Sequence, residues 1–282
     1  CLVGSEMCIR DSVNRNIVSE DQIRLFLKPT RNDFHNPYLI TDMEKAIDRI
    51  VEAIEKQQKV TIYGDYDVDG ITSITVLKSF LKDRGLEVSQ YIPNRLDEGY
   101  GLNKQAIEKI HKSGCELMIT VDCGISAIEE IEYANQLGIE TIVTDHHEPG
   151  SMLPNALAVI DNKRKDSTYP FRELAGVGVV FKVIQALGIK LGLKEDLDIV
   201  CIGTISDIVP LVDENRVIAK LGLLLIKQTK NIGLRSIIQS SGYTKIDSNS
   251  ISFGIAPRIN ACGRMGKAED ALKLFLSRNM NE

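Results

Sequence analysis

The middle of the chain alternates short apolar runs with longer amphipathic segments, and this alternation limits the fold more than any other feature. Four apolar runs are clear: VTIYG (60–64), ELMITVDCG (116–124), ETIVTDHH (140–147) and ALAVIDN (156–162). A fifth segment, EVSQYIP (87–93), alternates apolar and polar residues as a half-buried strand does. Segments with helical spacing fill the intervals. Such an order is typical of βαβ units, so we predict an α/β fold in which helices flank a parallel β-sheet.

The rest of the chain predicts helices instead of strands. From residue 171 onward, apolar residues recur at helical spacing in 171–188, 197–208 and 214–228, and 251–277 predicts a loop followed by a final helix. We therefore divide the chain into an N-terminal extension (13–45), an α/β catalytic domain (46–170) and a mainly helical continuation of the same core (171–282). Residues 1–12 show neither the hydrophobic period of a helix nor that of a strand, and they resemble a translated sequencing adapter. We therefore expect them to be a non-native leader.

Composition excludes several classes of protein. A hydrophobic content of 43% with 26% charged residues is typical of a globular protein, and no run approaches the roughly 18 apolar residues that span a bilayer. The six cysteines include no CxxC pair, which argues against a disulfide scaffold or structural zinc and favours a cytoplasmic location. The net charge of −5 means that a nucleic-acid substrate would need a local groove or bound metal ions to offset its phosphates.

Acidic and imidazole side chains follow three of the predicted strands, at the point where each strand ends. The run at 60–64 is followed by Asp65, Asp67 and Asp69. The run at 116–124 has Asp122 near its end, and the run at 140–147 ends with Asp145, His146 and His147. In an open parallel sheet, ligands bind outside the carboxyl ends of the strands. Carboxylates and imidazoles together suit Mn²⁺, Mg²⁺ or Zn²⁺. The sequence therefore predicts a metal site at this edge of the sheet.

Each of these patterns has an alternative interpretation. The segment DYDVDG begins like an EF-hand calcium loop, but the position that needs a bidentate Glu is occupied by Val76. We reject the calcium loop, whereas a solvated acidic turn stays open. Asp122 could instead cap a helix. The single histidines His35 and His111 stand in polar surroundings, and we expect them to be solvated.

Taken together, the motifs resemble those of a known family. GDYDVDG (64–70), VDCG (121–124), DHH (145–147) and GTISDIVPL (203–211) resemble the DHH phosphoesterases. PNRLDEGYGLN (93–103), YPFRELAGVGVVFK (169–182) and PRINACGRMG (257–266) resemble their RecJ branch, the 5′-to-3′ exonucleases of single-stranded DNA in repair and recombination. The resemblance covers roughly residues 15–282. Such proteins continue into a substrate domain and an oligonucleotide-binding barrel, which we do not find, so we expect an amino-terminal catalytic fragment.

The resemblance implies a centre of two divalent cations, Mn²⁺ or Mg²⁺. Asp67 and Asp122 would hold one ion with help from Asp65, and Asp122 would bridge to a second ion held also by Asp69, His146 and Asp207. His147 would face the scissile phosphate, and Asp145 would orient the neighbouring imidazoles. Some relatives have a histidine ligand where this chain has Tyr63. Asp207 is the only acidic residue in a largely apolar stretch, and a metal partner would account for such a costly carboxylate.

The resemblance also implies substrate contacts and partners. The expected contacts are Arg95, Gly99, Tyr100, Gly101, Arg258, Asn260, Gly263 and Arg264, although plain surface charge is the alternative for the arginines. We expect the chain to bind single-stranded DNA, to be a monomer and not to associate with a membrane. A helicase or a single-strand-binding protein is a candidate protein partner. Two other functions stay open: a DHH enzyme that hydrolyses short oligonucleotides, cyclic dinucleotides or pyrophosphate, and a non-catalytic DNA-binding scaffold.

Overall fold

Five parallel strands form the centre of the molecule in a computed structural model, which describes residues 10, 13–14, 17–95, 97–191 and 197–279. The strands are β1 (Val60–Gly64), β2 (Val88–Tyr91), β3 (Leu117–Val121), β4 (Glu140–Thr144) and β5 (Ala158–Ile160), in the order β2-β1-β3-β4-β5. All neighbouring pairs are parallel, so the predicted α/β fold is confirmed. The predicted leader lies, apart from residue 10, outside the described residues.

Helices cover both faces of this sheet. The helices before residue 171 are α1 (Glu20–Leu27), α2 (Met43–Glu55), α3 (Val68–Lys82), α4 (Lys104–Lys112) and α5 (Ile128–Gln136). Side chains alternate along each strand, so Ile62 joins a large core with α2 and α3, whereas its neighbour Tyr63 joins a smaller core with α4. Burial on both faces explains why β1 and β3 read as continuous apolar runs.

The second part of the chain is helical, as predicted. It contains α6 (Gly176–Leu191), α7 (Asp198–Ser206), α8 (Asp213–Ile226), α9 (Ile232–Ser241), α10 (Ala256–Arg264) and α11 (Ala268–Leu276). Both α6 and α7 pack on α3, which is therefore buried nearly all round. The proposed boundary at residue 170 stays a prediction. No helix in the described part of the chain is long and apolar enough to cross a bilayer.

The loop predicted at the start of 251–277 is wrong. A π-helical turn covers Ile251–Ile255 and leads directly into α10. The buried side chains of Ile251, Ile255 and Ile259 recur every four residues and pack into the core, which supports a helix. Pro257 lies in the first turn of α10, where a backbone N–H is not needed.

Candidate metal centre

The sheet order brings three acidic residues side by side at one edge. Asp65, Asp122 and Asp145 directly follow β1, β3 and β4, which are neighbours in the sheet. All three are buried, at 5%, 3% and 1% exposure. The chain runs from β1 outward to β2 and then returns to β3 on the other side, so the strand order reverses between β1 and β3. Such a reversal opens a crevice at the carboxyl ends of the two strands, where ligands of α/β sheets bind.

Three sets of candidate ligand atoms meet in this crevice. Within each set all ligand atoms lie within 4.8 Å of one another, and the sets are Asp65, Asp67 and Asp122; Asp69, His146 and Asp207; and Asp122, His146 and His147. Asp122 and His146 each belong to two sets, so the sets form one connected cluster. The structure thus places every sequence-predicted ligand in the same site.

His146 lies at the middle of the cluster. Its Nε2 atom lies 3.1 Å from Asp122 Oδ1 and 3.8 Å from Asp69 Oδ2, and its Nδ1 atom lies 3.7 Å from Asp207 Oδ2. Asp207 directly follows α7 and lies near the Nδ1 atom of the ring, whereas Asp122 lies near Nε2. The imidazole therefore connects the sheet edge to the helical part of the chain.

Local structure explains how the first acidic segment is held. Asp67 caps α3, and its Oδ1 accepts a hydrogen bond of 3.0 Å from the Gly70 N–H. A Cβ atom at Gly70 would lie 2.4 Å from the Asp65 carbonyl oxygen, so the tight turn requires glycine there. Asp69 lies in the first turn of the helix, and its carboxylate contacts the backbone at the start of α6. The three aspartates of this segment therefore reach different parts of the crevice.

The start of α6 holds Asp69, a contact that the sequence did not predict. The N–H groups of Gly176 and Val177 donate to the two carboxylate oxygens of Asp69 at 2.7 and 2.8 Å. A Cβ atom at Gly176 would lie 2.6 Å from Asp122 Oδ1, so only glycine lets the helix end approach both carboxylates. The segment GVGVV (176–180) thus contributes its backbone to the acidic site. A glycine at a helix start was its only sequence signal.

Burial and mutual repulsion shift the pKa values of the acidic cluster. Burial, followed by the charge of Asp67, raises the pKa of Asp65 and of Asp69 to about 7, and burial with repulsion from Asp69 raises that of Asp207 to about 7. Burial and then Asp69 raise the pKa of Asp122 well above its ordinary value. Burial and mutual repulsion therefore make the ionised form of these carboxyls unfavourable, and a cation bound among them would stabilise that form.

The hydrogen bonding and the donor types of the candidate ligands show whether a cation fits this cluster. Among the described residues, neither the buried Asp122 Oδ1 nor the buried His146 Nδ1 forms a hydrogen bond, although His146 Nε2 lies 3.1 Å from Asp122 Oδ1. Burial also lowers the pKa of His146, which favours the neutral imidazole that binds metals. Buried polar atoms are nearly always paired, and oxygen and imidazole donors are what Mn²⁺ and Mg²⁺ accept. The residues present therefore fit a divalent cation.

Asp145 contacts the two histidines differently. Its Oδ1 lies 2.7 Å from His147 Nδ1, whereas it meets His146 only through that residue's backbone N–H, at 2.7 Å. Its Oδ2 accepts from the Ile125 N–H at 2.9 Å. The hydrogen bond that His147 donates to Asp145 raises the pKa of His147. Burial alone would raise the pKa of Asp145, but the hydrogen bonds that Asp145 accepts, that from the His147 ring foremost, lower it. Asp145 therefore orients one imidazole ring, not both.

The loop before α4 carries one group of the predicted substrate contacts. Gly99 and Gly101 adopt positive φ angles of 79° and 83°, which favour glycine. Between them the exposed Tyr100 places its hydroxyl 3.5 Å from His147 Nε2. The buried Tyr63 donates a 3.0 Å hydrogen bond to the Gly101 carbonyl. The residue that replaces a histidine ligand of some relatives thus supports this loop and belongs to none of the three ligand sets.

The other predicted contacts, apart from Arg95 in the loop after β2, lie on α10, beside the acidic loop. Asn260 Oδ1 accepts from the Val68 N–H at 3.2 Å, and a Cβ atom at Gly263 would lie 2.3 Å from the Tyr66 carbonyl oxygen. Arg264 is exposed and lines a cleft of about 200 Å³ together with Asn260. The remaining two arginines are also exposed: Arg95, whose guanidinium carbon lies 5.4 Å from the Tyr66 ring centroid, and Arg258, which donates to the Gly254 carbonyl.

Comparisons with known proteins agree with this architecture. The family model described as DHH family, N-terminal domain, matches residues 59–204, so the chain belongs to the DHH family. The single-stranded-DNA-specific exonuclease RecJ of Bacillus subtilis is 46% identical over 274 residues, which cover 96% of this chain, and the RecJ of Thermus thermophilus is 38% identical over 238 residues. The predicted resemblance to the DHH phosphoesterases and their RecJ branch is confirmed.

Solved structures show the same relationship. A crystal structure of Thermus thermophilus RecJ in complex with Mn²⁺ matches 96% of this chain with a TM-score of 0.80 and 31% identity. A structure of exonuclease RecJ bound to manganese matches 84% of the chain with a TM-score of 0.78 and 37% identity. The chain spans 34% of the length of the Bacillus subtilis protein and 39% of the Thermus thermophilus chain.

Proposed function

We propose that this chain is the catalytic part of a metal-dependent exonuclease that hydrolyses phosphodiester bonds of single-stranded DNA, in the 5′-to-3′ direction, during repair and recombination. One observation carries the proposal: buried carboxylates and an imidazole from β1, β3, β4 and α7 converge with unpaired ligand atoms at the strand-order reversal of the sheet. The relatives named above are exonucleases of single-stranded DNA, and two of their crystal structures contain Mn²⁺.

In this proposal the two sets of ligands hold two Mn²⁺ or Mg²⁺ ions. Asp65, Asp67 and Asp122 would hold one ion, and Asp69, His146 and Asp207 would hold the other, with Asp122 as a shared ligand. Two such ions supply a hydroxide at neutral pH and stabilise the attacking and leaving oxygens of the phosphodiester. The N–H groups at the start of α6 keep the Asp69 carboxylate in place by hydrogen bonds to both of its oxygens.

His147 is the group of this chain best placed to contact the scissile phosphate. Its Nδ1 is engaged by Asp145, which leaves Nε2 directed toward the open side near Tyr100. Because the hydrogen bond to Asp145 raises the pKa of His147, the ring holds a proton more readily and can donate it to a phosphate oxygen. The exposed Arg95, Arg258 and Arg264 would bind the DNA backbone, and the Tyr100 ring offers a surface on which a base can stack.

An assay with two substrates tests the proposal. A long 5′-labelled single strand and a dinucleotide are incubated with the protein and Mn²⁺, with an Asp122→Ala variant as the inactive control. We expect stepwise release of nucleotides from the long strand and no release by the variant, because Asp122 belongs to both ligand sets. Hydrolysis of the dinucleotide alone would favour the small-substrate enzyme, and DNA binding without hydrolysis would favour the scaffold. A monomeric state, a cytoplasmic location and a helicase or single-strand-binding partner stay predictions.

A further inference from the structure

Asn215 is a fully buried amide at the start of α8, away from every candidate ligand set. Its Nδ2 group donates to two backbone carbonyls, that of Glu173 and, at 3.1 Å, that of Pro210. Among the described residues its Oδ1 has no hydrogen-bond partner. A buried acceptor without a partner costs about 1–3 kcal/mol. The useful contribution of Asn215 therefore comes from its Nδ2 group, which donates to two backbone carbonyls.

The two carbonyls belong to the two segments that place the helical side of the metal centre. Glu173 lies in the loop that leads to Gly176, whose N–H group holds the Asp69 carboxylate. Pro210 lies in the loop that follows Asp207. Asn215 thus ties the segment that positions one candidate ligand to the segment that carries another.

A buried ion pair fixes the residue before Asn215. Lys182 of α6 and Glu214 of α8 are both fully buried, with 2.8 Å between Nζ and Oε1. Glu214 also accepts from the His35 backbone N–H at 3.0 Å and from the Tyr169 hydroxyl at 2.5 Å. Such pairs add little net stability because desolvation is costly, but removing one partner is strongly destabilising. The pair therefore locks the start of α8, and with it the Asn215 backbone, in one position against α6.

His35 belongs to the same network, which corrects the expectation that it is solvated. Its Nε2 lies 2.9 Å from Asp213 Oδ1, and its ring meets the Tyr169 ring edge-on at 5.8 Å between centroids. The N-terminal extension is thereby attached to the same helix start that Glu214 and Asn215 occupy. Three parts of the chain meet there: the extension, the start of the α6 segment and the loop after α7.

We infer that Asn215 is a positioning residue of the metal centre, which sets the distance between the Asp69 and Asp207 carboxylates by joining the loop that leads to Gly176, whose backbone holds Asp69, to the loop that follows Asp207. The inference rests on the proposed function only in that the centre binds divalent cations. It requires neither exonuclease activity nor DNA. The ion affected is the one assigned to Asp69, His146 and Asp207, because the ligands of the other ion follow β1 and β3.

The test is a titration of Mn²⁺ by isothermal calorimetry with the wild-type chain, Asn215→Ala and Asn231→Ala. Asn231 is the matched control, because its Nδ2 also donates to a backbone carbonyl, Phe275 at 2.7 Å, and its Oδ1 caps α9, distant from the centre. Removing a residue that orients metal ligands typically weakens metal affinity about 10- to 100-fold. We expect a loss of this size for one ion in Asn215→Ala and unchanged affinities in Asn231→Ala.

Unfolding by urea in EDTA separates positioning from general stability. We expect the two variants to lose similar stability there, because each loses two hydrogen bonds. If Asn215→Ala binds both ions as the wild type does, or if Asn231→Ala loses as much affinity, the inference is overturned. If Asn215→Ala does not fold, Asn215→Ser keeps a donor that is too short to reach both carbonyls, and the same criteria apply to it. A wild-type chain that binds no Mn²⁺ would overturn the proposed function itself.

Discussion

Replacing Asp122 by asparagine should stabilise the metal-free protein while it destroys metal binding. The carboxyl is 3% exposed, and burial and then the charge of Asp69 raise its pKa well above the ordinary value of 3.8. At low pH the Asp122 carboxyl is protonated in both the folded and the unfolded state, so its raised pKa does not lower the stability of the fold. Above the unfolded pKa, the unfolded state ionises freely but the folded state does not, so the free energy of unfolding falls as pH rises.

The magnitude follows from that linkage. A carboxyl that stays protonated in the folded state lowers the free energy of unfolding by about 1.4 kcal/mol for each pH unit above its unfolded pKa. Leaving the carboxyl ionised is also costly, because the buried charge is desolvated and is repelled by Asp69. Asparagine removes either cost. It also tolerates the positive φ of 58° at Asp122, so backbone strain does not obscure the result.

Urea unfolding in EDTA at about pH 5 and about pH 7.5 measures the effect. We expect Asp122→Asn to gain about 1–2 kcal/mol at the lower pH and a larger amount at the higher one, because the penalty grows with each pH unit above the unfolded pKa. Added Mn²⁺ should stabilise the wild type and leave the variant unchanged.

Asp145→Asn is the matched control, because Asp145 is equally buried at the end of the next strand, yet its hydrogen bonds to His147 and Ile125 lower its pKa. A lowered pKa contributes stability above the unfolded value, so this variant should be less stable in EDTA near neutral pH. If the free energy of unfolding changes in the same direction in both variants, or if Asp122→Asn is less stable than the wild type at both pH values, the electrostatic reasoning is refuted.

Three further outcomes are expected. Removal of divalent metal with EDTA should lower the melting temperature, since Mn²⁺ at about 100 times its dissociation constant adds about 2.7 kcal/mol; an unchanged calorimetric scan would argue against a preformed site. Mn²⁺ affinity should rise between about pH 6 and pH 8, because the pKa values of Asp69 and Asp207 near 7 mean that binding releases protons; a pH-independent calorimetric titration would contradict this. Ile208→Gly should stabilise the protein by about 0.5–1 kcal/mol, because Ile208 is 87% exposed at a φ of 60° that favours glycine; a lower urea midpoint would count against the strain.

Local patterns explain how much of this site the sequence predicted. The period of two and the apolar runs identify strands, and a residue that follows a strand lies at the carboxyl edge of the sheet wherever the strand is placed. The candidate ligands Asp65, Asp122 and His146 could therefore be named before any contact was known. The helix over 256–264 was missed because glycine, proline and polar residues obscure its period, and its apolar face becomes visible only where it packs.

The sequence alone determined the α/β class, the edge of the sheet that carries the acidic residues, and the family whose motifs it shares. Only the tertiary structure decided which groups hold those residues: the backbone of Gly176 on Asp69, the support of the Gly101 loop by Tyr63, and the bond of Asn215 to two separate loops. The physical reason is the range of the interactions. Strand and helix periods come from neighbouring residues, whereas a hydrogen bond between distant segments depends on the packing of the whole chain.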